Sequence, residues 1–291
     1  MGLLSGDLTT QQRVVTWMGT GPTQPSAILT QLISSMTQMI YSRLSRSRVY
    51  SQTFVRTFDG VGNMQLVLPD YPVTKLIAVQ QGNCTVPLSV LPAPGAAQPT
   101  GTINGFGCRV ALWDGQLPGE NATLEFANGF FWQGAQNIRV TYQAGYLVAL
   151  EPVVVPTSPY AATVQQLYGI WSRDNGVVYA ATGVALTPVA ASPTAGQYIP
   201  PPDATPGLYT FSAADVNANL LVSYSFIPAD LEEACIQMVA ERYVYRGRVG
   251  DISKSLGGQE SMRYARGMPP EVKELIQPYV SVVYPNIGAP V

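Results

Sequence analysis

The chain has 291 residues, 46% of them hydrophobic and only 12% charged, with 27 Gly, 24 Pro, 16 Tyr and no histidine. A globular chain usually carries about 25% charged residues, so uncharged polar groups must cover much of this surface. The missing imidazole excludes Ser-His-Asp and Cys-His nucleophiles, histidine general bases and histidine zinc ligands.

The length fits one large or two modest domains. Cys84, Cys108 and Cys235 form no Cys-x-x-Cys pair and read as buried small hydrophobes, with a single disulfide as the alternative. The opening Met1–Arg13 has no basic n-region or long apolar run, and Gly6 stands where myristoylation needs Ser or Thr. No stretch of 18 apolar residues occurs. The expectation is a soluble protein of a reducing cytoplasm with no membrane partner. Charge is uneven: residues 8–56 hold five Arg and no acid, residues 57–241 four basic and thirteen acidic side chains, and residues 242–273 seven basic and three acidic. Without a compact Lys/Arg run interleaved with aromatics, this asymmetry points to surfaces that attract one another within or between copies, rather than to a nucleic-acid site.

Taken in order, Thr9-Thr10-Gln11-Gln12 fits a capping box opening a helix to about Met18, stopped by Gly19. A second helix begins near Pro25-Ser26. Its Ile28, Leu29, Leu32, Ile33, Met36, Met39, Ile40 and Leu44 form one apolar stripe, and it ends in the basic Arg43–Arg48 stretch. From Val49 to Tyr146 the period falls to two, with turns at Asp59-Gly60, Gly62-Asn63, Gln81-Gly82-Asn83, Asp114-Gly115, Pro118-Gly119 and Asn128-Gly129. This predicts antiparallel β structure. Residues 147–221 read as an inserted β-sandwich-like module, opened by Pro152, Pro156 and Pro159. It holds strand-like runs at Tyr168–Trp171, Val177–Ala181 and Leu208–Phe211, and a Pro/Ala/Gly-rich loop from Ser192 to Gly207. A helix follows Phe226 with Pro228 at its first position, Asp230, Glu232 and Glu233 in its first turns and Arg242, Arg246 and Arg248 at its end, the polarity a helix dipole favours. Leu231, Cys235, Met238, Val239 and Tyr243 form its buried face. A short last helix starts at Pro269-Pro270 with Val272, Leu275 and Ile276 inward, and an extended apolar tail, residues 279–291, closes the chain.

Catalytic candidates are weak. Asp230, Glu232 and Glu233 are explained by the helix dipole, and spacing alone cannot place Asp114, Glu120 and Glu125 as a glycosidase pair. Asp174-Asn175-Gly176 lacks the later ligands of a calcium loop and reads as a hairpin turn. Leu256-Gly257-Gly258-Gln259 lacks the Gly-Lys-Ser/Thr of a phosphate loop. No enzyme, metal or cofactor is expected. An alternative is a binding protein whose β module takes a receptor or glycan, with Trp132, Trp171 or Tyr179 as stacking platforms or, more simply, as packing residues.

Four segments together carry a resemblance: Leu8-Thr9-Thr10 leading into two helices, Val140-Thr141-Tyr142-Gln143-Ala144-Gly145-Tyr146, Ile227-Pro228-Ala229-Asp230-Leu231-Glu232-Glu233-Ala234, and Ile252–Glu260 followed by Met268-Pro269-Pro270-Glu271-Val272. In this order they resemble the head–tail connector (adaptor) proteins of tailed double-stranded DNA bacteriophages, over roughly residues 1–60, 136–146 and 222–280. The resemblance implies an α+β fold: a helical connector core made of an N-terminal helix pair (1–48) and C-terminal helices (222–278), an antiparallel β domain (49–146), the inserted small β-sandwich (147–221) and a C-terminal tail (279–291). It implies a virion protein at the head–tail junction, assembled in the host cytoplasm, that forms a ring with other copies of itself, a dodecamer by family likeness. Its further partners would be the portal protein, a downstream tail or stopper protein, and dsDNA passing through without sequence-specific binding. Tyr279, Val280, Val282, Val283 and Tyr284 are then the expected portal-docking strand. Arg43, Arg46, Arg242, Arg246 and Arg248 are expected at the subunit interface or lumen.

Overall fold

A computed structural model describes residues 6–19, 26–88, 107–111, 123–126, 129–202, 205–246, 253–256, 260–263 and 268–280. Helices α1 (Gln11–Met18) and α2 (Ser26–Leu44) come first. Strands β1 (Gln52–Gly60), β2 (Gln65–Val67), β3 (Val73–Gln81), β4 (Cys84–Val86), β5 (Cys108–Ala111), β6 (Thr123–Phe126) and β7 (Gly134–Ala144) follow. Next are β8 (Leu147–Val154), β9 (Ala161–Thr163), β10 (Gly169–Tyr179), β11 (Thr187–Pro188), β12 (Gln197–Ile199), β13 (Leu208–Phe211) and β14 (Asn219–Pro228). The chain then forms α3 (Ala229–Tyr245), the hairpin β15 (Ser253–Leu256) and β16 (Glu260–Arg263), and α4 (Pro270–Ile276). The class is mixed α+β. Two compact units divide the chain: Met1–Arg48 with Leu147–Pro278, and Val49–Tyr146 with the segment beginning at Tyr279.

The unit built on Val49–Tyr146 holds two antiparallel sheets, ordered β1-β7-β3-β4 and β2-β6-β5. Alternation explains its core. Ile138, Val140, Tyr142 and Ala144 point inward from β7, while Arg139, Thr141 and Gln143 point away, as successive side chains on a strand must. Leu66, Leu124 and Cys108 of the second sheet join Phe54, Val79 and Val140 of the first in one buried cluster. β1 ends on Gly60 because a Cβ there would run into the Trp132 carbonyl.

In the other unit α3 is buried on nearly every side, since α1, α2 and α4 all pack on it. α2 contributes Leu29, Ile33, Met36, Ile40 and Leu44, whereas Ile28 is exposed. Several boundaries differ from the sequence expectation. The N-cap of α1 is Thr10, whose hydroxyl accepts from the Arg13 N–H at 3.4 Å, because the Thr9 hydroxyl is already committed to Glu232. Pro228 ends β14 and caps α3 rather than opening it, so strand passes into helix with no loop. β14 also runs unbroken across residues 221 and 222 and is the central strand of the sheet β10-β14-β8.

A second sheet, β11-β12-β13-β9, belongs to the same unit. It includes the short strand Gln197–Ile199 inside the stretch expected to be loop. Asp174-Asn175-Gly176 is not a hairpin turn: the two runs expected around it are one strand, β10. Three steps from Asp174 to Val177 oppose two steps from Tyr224 to Val222. The extra residue is a β-bulge, and Gly176 supplies its φ of +109°.

Candidate functional site

The expected docking and interface residues that the structure describes differ in burial. Tyr279 is only 4% exposed and lies in a 3-10 turn, not in an extended tail. Its carbonyl accepts from the Tyr71 hydroxyl at 2.9 Å, and its ring meets Tyr146 edge-on at 5.9 Å. The reason for expecting it at a partner, an apolar ring otherwise left in water, is removed. Val280 is half-buried, and Val282, Val283 and Tyr284 lie outside the described residues. Arg46, expected at the interface or lumen, is 7% exposed and belongs to the interior of its unit. Arg43, Arg242 and Arg246 are exposed, with Arg246 stacked over Tyr243 at 3.9 Å; Arg248 lies outside the described residues.

Two acidic residues, Glu232 and Asp7, are buried among hydrogen-bonding partners, and Asp114 and Glu120 lie outside the described residues. Glu232, read from sequence as a dipole-compensating residue, stands in the first turn of α3 and is 3% exposed. It accepts from Thr9 Oγ1 at 3.2 Å and pairs with Arg13. Burial pushes its carboxyl above the ordinary value, outweighing Arg13 and Thr9. Asp7 behaves alike: burial raises it against the Ser34 hydroxyl and Arg48. Cys235, held by Thr37 at 3.7 Å, and Cys108 are both buried, and that burial pushes their thiols up to about 12, favouring the protonated form. Cys84 is exposed, against expectation, and all three thiols are free.

Elsewhere, tyrosines, most of them buried, supply what the carboxylates need. Tyr142 donates to Asp70 Oδ2 at 2.7 Å, beside a bidentate Arg56–Asp70 pair at 2.9 and 3.0 Å. Tyr198 and Tyr209 donate to Asp174 at 2.6 and 3.0 Å, Tyr179 to Asp215 at 2.7 Å, and Tyr224 to Glu151 at 2.7 Å. Burial first, and the facing carboxylate second, raise the phenols of Tyr142, Tyr198 and Tyr224. Trp171, one of the aromatic platforms considered, is buried and donates its indole N–H to Tyr209 at 3.2 Å. Trp132 is 51% exposed.

One cleft stands apart from these closed networks. It has a volume of about 460 Å³ and is lined by Thr57, Gln80, Gly82, Asn83, Gln136, Asn137 and Arg139. β-pairing builds it: Thr57 of β1 and Gln80 of β3 both lie opposite Arg139 of β7. Their neighbours Ile138 and Gln81 point to the other side and are buried. Sequence reasoning missed it, since its lining side chains are scattered over β1, β3, the β3–β4 turn and β7; only alternation combined with the strand order would have found them. Among the described residues no cluster of three His, Cys, Asp or Glu side chains could hold a metal ion, and no helix is long and apolar enough to cross a membrane. No protein-family model matches the chain and no curated protein matches it, so its function has to be argued from its own residues.

Proposed function

We propose that the chain is a structural virion protein: a head-to-tail adaptor that assembles as a ring between portal and tail and leaves a conduit for double-stranded DNA. The observation that carries this reading is the packing of the N-terminal helices α1 and α2 on the distant helix α3. Thr9 and Glu232 are hydrogen-bonded although 223 positions apart, and Thr37 meets Cys235 across 198. The segments that carry the connector resemblance therefore include two helices from each end gathered in one unit, with the β module between them in sequence. A near-neutral chain with few basic side chains suits passage of DNA better than retention, because each phosphate neutralised adds salt-sensitive binding. Ring closure needs two unlike patches repeated about one axis and no catalytic centre. Val282, Val283 and Tyr284, rather than Tyr279, are the docking residues in this reading.

Electron microscopy of the purified protein with and without its cognate portal tests it. A coaxial ring on the portal is expected, and its loss on deletion of residues 281–291. A protein that stays dispersed beside the portal overturns the reading.

A further inference from the structure

The cleft over β1, β7 and β3 has the make-up of a binding site that no ring contact requires. Its floor is fixed. Asn137 accepts from the Gly60 N–H at 2.8 Å and donates to the Trp132 carbonyl at 2.7 Å. The Asn137 carbonyl takes the Gly82 N–H at 2.6 Å, which pins the β3–β4 turn over one end. Gln136, in the left-handed region at φ +48°, donates its N–H to Asp59 Oδ1 at 2.6 Å. The backbone that carries the lining is thereby committed, but its side chains are not. Thr57, Gln80, Asn83, Gln136 and Arg139 make no side-chain hydrogen bond or ion pair among the described residues.

Five unspent polar groups thus converge on a rigid cleft of ligand size. Three are amides, each offering both a donor and an acceptor, the pattern that vicinal hydroxyls match. One is a guanidinium, and no carboxylate lines the cleft. A single planar cation matches a single carboxylate bidentately, and a polyanion would call for several. The polar lining argues against an apolar guest.

We infer that this cleft binds an acidic saccharide: one uronate-type carboxylate on Arg139, with ring hydroxyls on Gln80, Asn83 and Gln136. The site is independent of the adaptor reading, because it lies within the unit built on Val49–Tyr146 and uses none of the residues assigned to ring or portal contacts. No aromatic ring lines it, so recognition is polar and edge-on, and affinity is modest.

Titration of the full-length protein with a glucuronate-containing disaccharide, followed by calorimetry and by the side-chain amide signals in NMR spectra, tests the inference. Saturable binding is expected, weakened at least about tenfold for the neutral glucose analogue, the scale of one lost charge-assisted pair. Arg139→Gln should erase the preference for the acid while leaving the fold unchanged, since Arg139 is exposed. Asn83→Ala with Gln80→Ala should weaken both sugars. Absence of saturation with the uronate overturns the inference. So does equal competition by inorganic phosphate, which would mark a bare anion site, or an undiminished preference for the acid in Arg139→Gln. None of these outcomes depends on whether the protein forms a ring.

Discussion

Asp70, buried in one unit, and Asp174, half-buried in the other, are satisfied by different donors. Asp70, 7% exposed, is held by a guanidinium and one phenol, Arg56 and Tyr142. Among the described residues no cation pairs with Asp174: two phenols and the Gly176 N–H at 3.1 Å satisfy it. A carboxylate taken from water needs either an opposite charge or several donors aimed at it. A chain with 16 Lys plus Arg but 16 Tyr uses phenols where cations are scarce. Tyrosine also brings apolar area, so the group that satisfies the acid fills the core as well: Tyr198 and Tyr209 are themselves buried and lie 6.0 Å apart.

The difference can be broken most sharply at Asp174. Asp174→Ala strands two buried hydroxyls at once and should cost about 3 kcal/mol or more, read as a fall in the chemical-denaturation midpoint. If the loss is below about 1 kcal/mol, the phenols find water and are not the acid's essential donors. Tyr142→Phe should cost less, about 1–2 kcal/mol, because Arg56 still neutralises Asp70. Arg56→Gln should cost least, about 0.5–1 kcal/mol and less in high salt, since its side chain is 44% exposed.

Two pH effects sharpen the same contrast. Tyr198 and Tyr209 titrate above the ordinary 10.0, so their contribution is complete below pH 10 and drains away as pH rises beyond it. Unfolding followed from pH 9 to 11 should show the loss, and Tyr198→Phe with Tyr209→Phe should blunt it. Glu232 titrates above 4.5, so its contribution is complete below that pH and falls as pH rises above it. Glu232→Gln keeps an acceptor for Thr9 and should flatten this slope; an unchanged slope would show that Arg13 fully compensates the buried charge.

Much of the architecture was legible in the sequence because it rests on local periodicity. α2 ends at Leu44 beside Arg43, β7 alternates from Ile138 to Ala144, and the Gln81-Gly82-Asn83 turn joins β3 to β4. The misses share a different origin. Asp174-Asn175-Gly176 carries turn residues, and a bulge uses the same left-handed glycine, so only the pairing partner β14 distinguishes the two. Glu232 looks like a surface charge until Thr9 and Arg13, more than 200 positions away, are seen against it. Tyr279 looks exposed until Tyr71 and Tyr146 are seen against it. The candidate cleft was illegible for the same reason, since Thr57, Gln80 and Arg139 meet only through strand order.

By itself, the sequence determined the kinds of element and the chemistry that is out of reach, because helix and strand periods, caps and the absence of imidazole are properties of neighbouring residues or of composition. Tertiary structure decided which acids are buried, which phenols answer them, and which amides are left without a partner at the cleft. Those outcomes depend on contacts between residues dozens to hundreds of positions apart, where desolvation and donor geometry, not local propensity, set the energy.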